Sequence, residues 1–546
     1  MKIALAQLNY IIGDFEHNTQ KIIKTIQAAR QKGADLVVFA ELSVCGYSPR
    51  DFLEFSEFID LSEQSAKKIA AACTDIACVL GLPTPNSKIE GKDLYNSAWF
   101  IENTEIKAIV NKALLPNYDV FDEYRYFEPS IDFGCVDFMG HKIALTICED
   151  LWNINDNPMY TICPMDELIK ENPDLMINIA ASPFAYNHDE ERVQILGDNC
   201  RKYKLPLFYV NQVGAQTEII FDGGSLVFDD SGRLLDEMAY FSEDLRIYEF
   251  KDKKVRGYEP KVHDAQNDIH QVHDALILGI RDYFQKSGFS KAILGLSGGI
   301  DSALVCALAS EALGPENVMA VLMPSEFSTD HSVQDALDLV KNLGCEHEIV
   351  PIKEAASAFE NMMKPVFKDL PFNVAEENIQ ARCRAIIVMA MSNKFGYILL
   401  NTSNKSECAV GYGTLYGDMA GAIGVLGDVY KTQVYKLSNY INRDREIIPN
   451  NSISKPPSAE LRPGQKDSDT LPEYDVLDAI LFQYIEFKKS SSAIIGQGFD
   501  ETLVKKVLRM VNVAEFKRNQ APPILRVSPK AFGIGRRLPI VGKYLS

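Results

Sequence analysis

The sequence predicts an α/β protein built from two domains, and three observations lead to that prediction. The chain has 546 residues, which is long for a single hydrophobic core. In both halves, short apolar runs alternate with longer segments of helical periodicity, as in layered α/β proteins. Between the halves, residues 251–260 are charged and end in a turn signal. We therefore expect a first domain over residues 1–250, a linker over 251–268 and a second domain over 269–546.

The first half contains six short apolar runs with strand character. The predicted strands are Ile3–Leu8, Leu36–Phe39, Cys78–Leu82, Ile143–Ile147, Leu175–Ile179 and Leu207–Val210. The clearest helices are Asn18–Lys32 and Ser62–Ala72. In layered α/β proteins the strand ends usually carry the chemistry, so we look for reactive residues there.

The second half has a βαβ rhythm, which predicts a parallel, doubly wound sheet. Its predicted elements are helix Ile269–Lys286, strand Ala292–Leu296, helix Ala303–Leu313, strand Val318–Met323, helix Val333–Leu343 and strand Glu348–Pro351. Residues 450–472 are rich in Pro, Ser and charge, which indicates either a mobile loop over a site or a plain solvated excursion.

The composition restricts the class of partner. The net charge of −19 opposes binding to nucleic acid or to an anionic membrane, so small-molecule substrates are favoured. Eleven cysteines without a C-x-x-C pair indicate a reducing, cytoplasmic setting. The first residues lack a signal-peptide pattern, and we expect no membrane-spanning segment.

A glycine-rich loop joins an apolar strand to an apolar helix in the second half. It consists of Gly295, Leu296, Ser297, Gly298, Gly299, Ile300, Asp301 and Ser302. Glycines let backbone N–H groups approach an anion, serine hydroxyls add donors, and the start of the helix favours negative charge. Asp301 suits such a loop if ATP binds with Mg²⁺, where its carboxylate serves the metal or the helix start. A glycine-rich turn without a ligand is the alternative.

This loop resembles the SGGxDS loop of the PP-loop ATP pyrophosphatases, whose fold is that of the adenine nucleotide alpha hydrolases. The resemblance implies that ATP adenylates a carbonyl or carboxylate with release of pyrophosphate. A nitrogen or sulfur nucleophile then displaces AMP, so another part of the chain must supply that nucleophile.

Three reactive residues follow apolar strands in the first half. Glu41 follows Val37–Ala40, Lys112 lies in the segment Asn111–Pro116, and Cys148 follows Ala144–Ile147. Together they would form a base, a cation near a developing oxyanion and a nucleophile, a set that opens an amide. Taken singly, they are also consistent with a strand-end cap, a surface charge and a buried thiol.

The order and flanks of these three residues resemble the nitrilase superfamily over about residues 1–250. The resemblance implies an αββα sandwich with a Glu–Lys–Cys triad, and it places Tyr118, Ser182 and His188 at glutamine-binding positions. An amidase joined to an adenylating domain is typical of a glutamine-dependent amidotransferase.

Segments of the second half resemble the NAD⁺ synthetase family over nearly all of residues 270–546. They include 376–384, 401–407, 412–418, 427–432 and 515–518. The resemblance implies that Thr402 joins residues 295–302 in holding ATP and that Lys431 approaches phosphate. It also assigns Asn378, Glu407 and Lys517 to deamido-NAD⁺, and Asp301 with Glu407 to Mg²⁺.

The implied reaction is the amidation of deamido-NAD⁺ with ammonia from glutamine or from solution, giving NAD⁺, AMP, pyrophosphate and glutamate. If the two sites lie in separate domains, we expect an enclosed passage for ammonia between them, and a homo-oligomer. Three alternatives stay open at this point. They are a PP-loop amidotransferase acting on another carboxylate or a nucleotide base, an RNA-modifying PP-loop protein, and a binding protein with inactive sites.

Overall fold

The computed structural model describes residues 1–154, 158–257 and 268–544. The chain divides into two compact units, residues 1–266 and residues 267–546. The predicted linker, residues 251–268, spans this division, and its residues 258–267 lie outside the described part of the chain.

The first unit is an α/β sandwich. Its strands are β1 (Lys2–Gln7), β2 (Leu36–Val38), β3 (Ala77–Pro85), β4 (Leu94–Glu102), β5 (Glu105–Asn111), β6 (Val136–Phe138), β7 (His141–Ile147), β8 (Leu175–Ala180), β9 (Leu207–Asn211), β10 (Val213–Gln216), β11 (Ile219–Asp222), β12 (Leu226–Phe228), β13 (Leu234–Glu237), β14 (Asp244–Lys251) and β15 (Lys254–Arg256). Its helices are α1 (Phe15–Gln31), α2 (Ser56–Ala71), α3 (Pro164–Leu168) and α4 (His188–Tyr203).

Two sheets face each other across one hydrophobic core in this unit. One sheet has seven strands in the order β15-β14-β1-β2-β3-β4-β5, and the other has six in the order β13-β12-β9-β8-β7-β6. Strands β1 and β4 of the first sheet contact β9 and β7 of the second. Helices α1 and α2 pack on the first sheet and α3 and α4 on the second, so the predicted αββα sandwich is confirmed.

Parallel pairing brings the ends of several strands to common edges. Strands β1, β2 and β3 pair in parallel, as do β7, β8 and β9. Helix α1 begins earlier than predicted because the Asp14 side chain accepts a hydrogen bond from the backbone N–H of His17 and caps the helix. Helix α2 also begins earlier, at Ser56 instead of Ser62, and the added residues include Phe58 and Ile59, whose side chains are buried.

The second unit is built on a parallel sheet. Its strands are β16 (Ala292–Gly295), β17 (Val318–Leu322), β18 (Glu346–Ile349), β19 (Ile398–Asn401) and β20 (Ile423–Gly424). Its helices are α5 (Asp268–Lys286), α6 (Ile300–Leu313), α7 (Asp330–Leu343), α8 (Lys353–Phe367), α9 (Val374–Phe395), α10 (Lys405–Val410), α11 (Lys431–Ile441), α12 (Asn450–Ser454), α13 (Tyr474–Ile485), α14 (Ser491–Ile495), α15 (Glu501–Val513) and α16 (Glu515–Arg518).

The sheet of the second unit has the order β18-β17-β16-β19-β20, and every pair in it is parallel. The predicted doubly wound sheet is therefore confirmed. Successive strands are added on one side of β16 and then on the other, so the strand order reverses at β16. In such sheets the ligand crevice lies beyond the carboxyl end of the strand at which the order reverses. In the described ranges, no helix is both long and apolar enough to cross a bilayer.

Candidate active sites

A buried cluster of charged side chains lies at the strand ends of the first unit. Glu41 follows β2 and is 1% exposed, while Lys112 follows β5 and is fully buried. The Lys112 Nζ donates to Glu41 Oε1 at 2.7 Å. Glu41 also accepts hydrogen bonds from the Asn96 side-chain amide at 2.7 Å and from the backbone N–H of Ala181 at 3.0 Å. The structure thus brings two of the three candidate catalytic residues into direct contact.

A second carboxylate, Glu123, completes the surroundings of the lysine. The Lys112 Nζ donates to both of its oxygens, at 2.9 and 2.8 Å. Burial on its own lowers the pKa of a lysine, but the charges of Glu123 and Glu41 raise the pKa of Lys112 well above its usual value. Sequence analysis missed Glu123, which lies in a short 3₁₀ turn among other acidic residues with no apolar strand before it.

Cys148 begins a 3₁₀ turn directly after β7 and has a φ of 43°. Its side chain is buried, and burial raises the pKa of the thiol well above the usual value. The charge of Glu41 raises this pKa further, whereas Lys112 lowers it. The thiol is therefore protonated at rest and lies within electrostatic reach of both a base and a cation.

Asp150 fixes the backbone on both sides of this cluster. Its Oδ1 accepts hydrogen bonds from the N–H groups of Ala113 at 3.0 Å and Leu114 at 2.9 Å, and its Oδ2 accepts one from Ile147 at 3.0 Å. One side chain therefore ties the residues after Lys112 to the end of β7. Sequence analysis did not single out Asp150.

Glu149, the residue after Cys148, provides a buried carboxyl group close to the thiol. It accepts hydrogen bonds from the hydroxyls of Tyr118 at 3.0 Å and Tyr160 at 3.1 Å. Burial raises the pKa of Glu149 to about 7. The candidate glutamine residue Tyr118 thus contacts the neighbour of the candidate nucleophile.

The other two candidate glutamine residues also lie close together. Ser182 Oγ is 3.4 Å from His188 Nε2, and the His188 ring stacks on Trp152 with the ring centroids 5.3 Å apart. The Asn211 Oδ1 accepts a hydrogen bond from the backbone N–H of Ser182 at 2.9 Å. Trp152 follows the Cys148 turn directly, so His188 contacts the end of that turn and Ser182 lies beside His188.

The glycine-rich loop of the second unit joins β16 to α6, as the sequence predicts. Gly298 has a φ of +81°, and a Cβ on it would lie 2.1 Å from the backbone oxygen of Ser332. Ser297 Oγ lies 3.2 Å from Ser302 Oγ and accepts a hydrogen bond from the N–H of Gly299 at 3.2 Å. The loop is therefore closed by its own serines and can contain only glycine at position 298 without strain.

A cavity of about 500 Å³ opens above this loop. Its lining includes loop residues, Thr402 after β19, Glu407 on α10 and Lys431 on α11. Residues 455–462 and 464–467, within the segment predicted to be a loop over a site, also line it. That segment begins with helix α12, and Glu460 Oε1 accepts hydrogen bonds from the hydroxyls of Thr329 and Ser332 at 3.0 and 2.7 Å.

Two carboxylates and a lysine meet beside the loop. Lys431 Nζ pairs with Asp301, and the Asn404 side-chain amide donates to Asp301 at 3.0 Å. Burial raises the pKa of Glu407 well above its usual value, and the charge of Asp301 adds to this. Asp301 and Glu407 are thus hard oxygen donors close to each other, the number and type of protein ligand that suits Mg²⁺ bound with phosphates. In the described part of the chain, no group of three or more potential metal-ligating side chains forms a preformed cage.

Asn378 and Lys517 do not line the cavity. Asn378 Oδ1 accepts a hydrogen bond from the Thr414 hydroxyl at 2.6 Å. Lys517 Nζ donates to the carbonyl oxygens of Gly411 and Gly413, both at 2.7 Å. The structure therefore places both residues against the loop 411–414, next to the cavity instead of in it.

Comparisons with known proteins agree with the division into two units. The family model described as Carbon-nitrogen hydrolase matches residues 2–259, and the one described as NAD synthase matches residues 272–521. The glutamine-dependent NAD(+) synthetase of Synechocystis sp. is 45% identical, with 98% of each chain covered. That of Acinetobacter baylyi is 41% identical over 99% of this chain and 98% of its own.

Two solved structures of glutamine-dependent NAD⁺ synthetases are similar to this chain over nearly its whole length. The glutamine-dependent NAD⁺ synthetase of Acinetobacter baumannii, in complex with ADP, is 39% identical with a TM-score of 0.79, and 99% of this chain and 98% of that chain are covered. The synthetase from Cytophaga hutchinsonii has a TM-score of 0.82 at 22% identity, over 100% and 98% of the two chains, which supports the fold alone. The chain belongs to the glutamine-dependent NAD⁺ synthetase family.

Proposed function

We propose that this chain amidates deamido-NAD⁺ to NAD⁺ with ATP, taking ammonia from glutamine. The observation that carries this proposal is the buried contact between Glu41 and Lys112, close to Cys148. The same chain contains a second unit that matches the NAD synthase family model and includes the glycine-rich loop of residues 295–302. The products are NAD⁺, AMP, pyrophosphate and glutamate.

Amide hydrolysis begins at Cys148. Glu41 takes the thiol proton as Sγ attacks the side-chain amide carbon of glutamine, and the Lys112 ammonium stabilises the negative charge that develops on the amide oxygen. The protonated Glu41 returns its proton to the amide nitrogen, so that ammonia leaves and a thioester remains. Glu41 then removes a proton from water as the water attacks the thioester, and it passes this proton to Sγ, which gives glutamate and restores the thiol. Glu123 keeps Lys112 charged and in place throughout.

Glutamine is recognised next to the nucleophile. The Glu149 carboxylate, held by Tyr118 and Tyr160, suits the α-ammonium group of the substrate. Ser182 and His188 offer hydrogen-bond donors that suit its α-carboxylate. A free amino acid is therefore favoured over a peptide or a simple amide.

ATP occupies the cavity above residues 295–302, whose lining also includes Thr402. Backbone N–H groups at the start of α6 and the hydroxyls of Ser297 and Ser302 face the phosphates. Asp301 and Glu407 would hold Mg²⁺, which when bound neutralises phosphate charge. Lys431 lies where it can leave Asp301 for a phosphate oxygen as the nucleotide enters.

The acceptor is activated at its carboxylate. A nicotinate carboxylate oxygen attacks the α-phosphorus of ATP and expels pyrophosphate, and ammonia then attacks the acyl carbon and expels AMP. Asn378, Glu407 and Lys517 are proposed to hold deamido-NAD⁺, with Asn378 and Lys517 acting through the loop 411–414 that they contact.

We further propose that the chain forms a homo-oligomer through helices α8 and α9. These helices pack together and carry exposed apolar side chains, among them Met362, Val366, Ile386 and Phe395. Such a surface is typical of protein–protein contact, and a second copy is the proposed occupant. Sedimentation of the native chain and of Val366→Glu should show a larger species only for the native chain. Cytoplasmic localisation and the ammonia passage stay predictions.

The test uses NAD⁺ formation from deamido-NAD⁺, ATP and Mg²⁺ with glutamine or ammonium as the nitrogen source. Cys148→Ala should lose the glutamine reaction and retain the ammonium reaction. Cys200→Ala is the matched control, because Cys200 is equally buried in the same unit but lies on α4. Failure of both sources in the native chain, with ATP cleaved in the presence of another acceptor, would refute the proposed substrate.

A further inference from the structure

Two thiols touch near the glycine-rich loop of residues 295–302, called the ATP loop below. Cys306 lies on α6, the helix that begins at that loop, and Cys345 lies between α7 and β18. Their Sγ atoms are 3.9 Å apart, although 39 residues separate them in sequence. Both are free cysteines, and neither is part of the proposed chemistry.

The two thiols differ in access. Cys306 is fully buried, whereas Cys345 is 7% exposed. Cys345 adjoins β18, which is an edge strand whose four side chains are all exposed. The hydrogen bond between the thiols lowers the pKa of Cys345 and raises the pKa of Cys306. A small oxidant therefore meets Cys345 first, and Cys345 is the better nucleophile of the two.

We propose that Cys306 and Cys345 form a reversible disulfide when the protein meets a small peroxide. The Cys345 thiolate attacks one oxygen of hydrogen peroxide, so that an S–O bond forms, the O–O bond breaks and one water leaves. The Cys306 sulfur then attacks Cys345 Sγ, the S–O bond breaks, and a second water carries away the remaining proton. Two thiols are oxidised by two electrons, and one peroxide is reduced to two waters.

We expect bond formation to shift the backbone where α7 meets β18. The sulfurs have to approach from 3.9 Å to a bond length of about 2.05 Å. Helix α6 is buried along most of its length, so the edge strand and the end of α7 are the more mobile partners. Gly344, with φ +77°, forms the turn between them.

Helix α7 transmits that shift to the nucleotide site. At its other end, the backbone oxygen of Ser332 lies against Gly298, and the Ser332 hydroxyl donates to Glu460 of the segment that lines the cavity. A displaced α7 therefore disturbs both the ATP loop and the segment over it. We expect oxidation to raise the KM for ATP several-fold. This effect rests on the proposed function, but the formation of the disulfide is independent of it.

The experiment treats the full-length native chain with graded hydrogen peroxide, blocks free thiols by alkylation and maps peptides by mass spectrometry. NAD⁺ formation is measured with ammonium, because this reaction does not need Cys148, which peroxide also attacks. The same measurements are made on Cys345→Ser and Cys306→Ala, with Cys383→Ser as the control for another buried thiol of the same unit. Dithiothreitol is then added to each sample.

A peptide linking Cys306 to Cys345, with a several-fold higher KM for ATP that dithiothreitol restores, is the expected result. Both pair variants should resist the change, and Cys383→Ser should behave like the native chain. Absence of the linked peptide at every peroxide level overturns the modification site. A linked peptide with unchanged ATP kinetics overturns the coupling through α7. Absence of NAD⁺ formation before oxidation refutes the proposed function instead, and the peptide map still tests the disulfide.

Discussion

The carboxylate of Glu123 is surrounded by hydrogen-bond donors, which makes Glu123→Gln an informative substitution. One oxygen accepts from Lys112 at 2.9 Å and from the Tyr47 hydroxyl at 2.8 Å. The other accepts from Lys112 at 2.8 Å and from the Asn96 amide at 3.4 Å. A glutamine has the same shape but only one oxygen, so its NH₂ group must face two donors.

The expected loss follows from those contacts. Removing a charge-assisted hydrogen bond to a buried lysine costs about 1.5–3 kcal/mol, and the opposed donors keep the value near the upper end. Since Lys112 acts in the transition state, a loss of about 2–3 kcal/mol corresponds to a fall of about 30- to 150-fold in kcat/KM for glutamine. Tyr47→Phe removes one neutral donor and should cost only about 1 kcal/mol.

Glutamate release from glutamine measures the effect, and ammonium-dependent NAD⁺ formation on the same sample is the internal control. Urea unfolding separates a loss of stability from a loss of catalysis. A folded Glu123→Gln protein whose glutaminase kcat/KM stays within about twofold of native would refute the reasoning, because Glu41 alone would then suffice to hold Lys112.

Three further predictions concern other parts of the molecule. Burial opposes the charge of His273, but hydrogen bonds to two carboxylates raise its pKa to about 9, so it stabilises the fold below about pH 6.5 and loses this as pH rises through 9. In urea unfolding, the free energy of unfolding of His273→Gln should vary with pH by about 1 kcal/mol less than that of the native chain, and an unchanged pH profile would contradict this prediction. Gly298→Ala should abolish ammonium-dependent NAD⁺ formation, because its Cβ would lie 2.1 Å from the Ser332 oxygen, while Gly299→Ala, with no positive φ, should be milder; equal activities would contradict this. Asp150→Ala should destabilise the first unit by about 3 kcal/mol in urea unfolding, because three buried N–H groups lose their acceptor, and a native midpoint would argue against that.

Local patterns in the sequence were sufficient for much of the fold. Apolar runs located the strands after which Glu41 and Cys148 lie, and the glycine-rich run located the β16–α6 loop, because these signals involve residues adjacent in the chain. The two-domain α/β class followed from the same local periodicity. The starts of helices carry a weaker local signal, and the predicted starts of α1 and α2 were wrong by up to two turns, because the Asp14 cap and the burial of Phe58 and Ile59 arise in the folded structure.

Contacts across long sequence separations were decided by the tertiary structure alone. That Glu123 shares Lys112 with Glu41, that Asp150 ties two strand ends together, and that Asn378 contacts a loop beside the cavity depend on distances through space. The sequence determined which residue types follow which strands. Only the packed sheets decided which charges meet out of water, because the energy of a buried ion pair or hydrogen bond depends on separation in space and on desolvation, and neither is written in the local pattern.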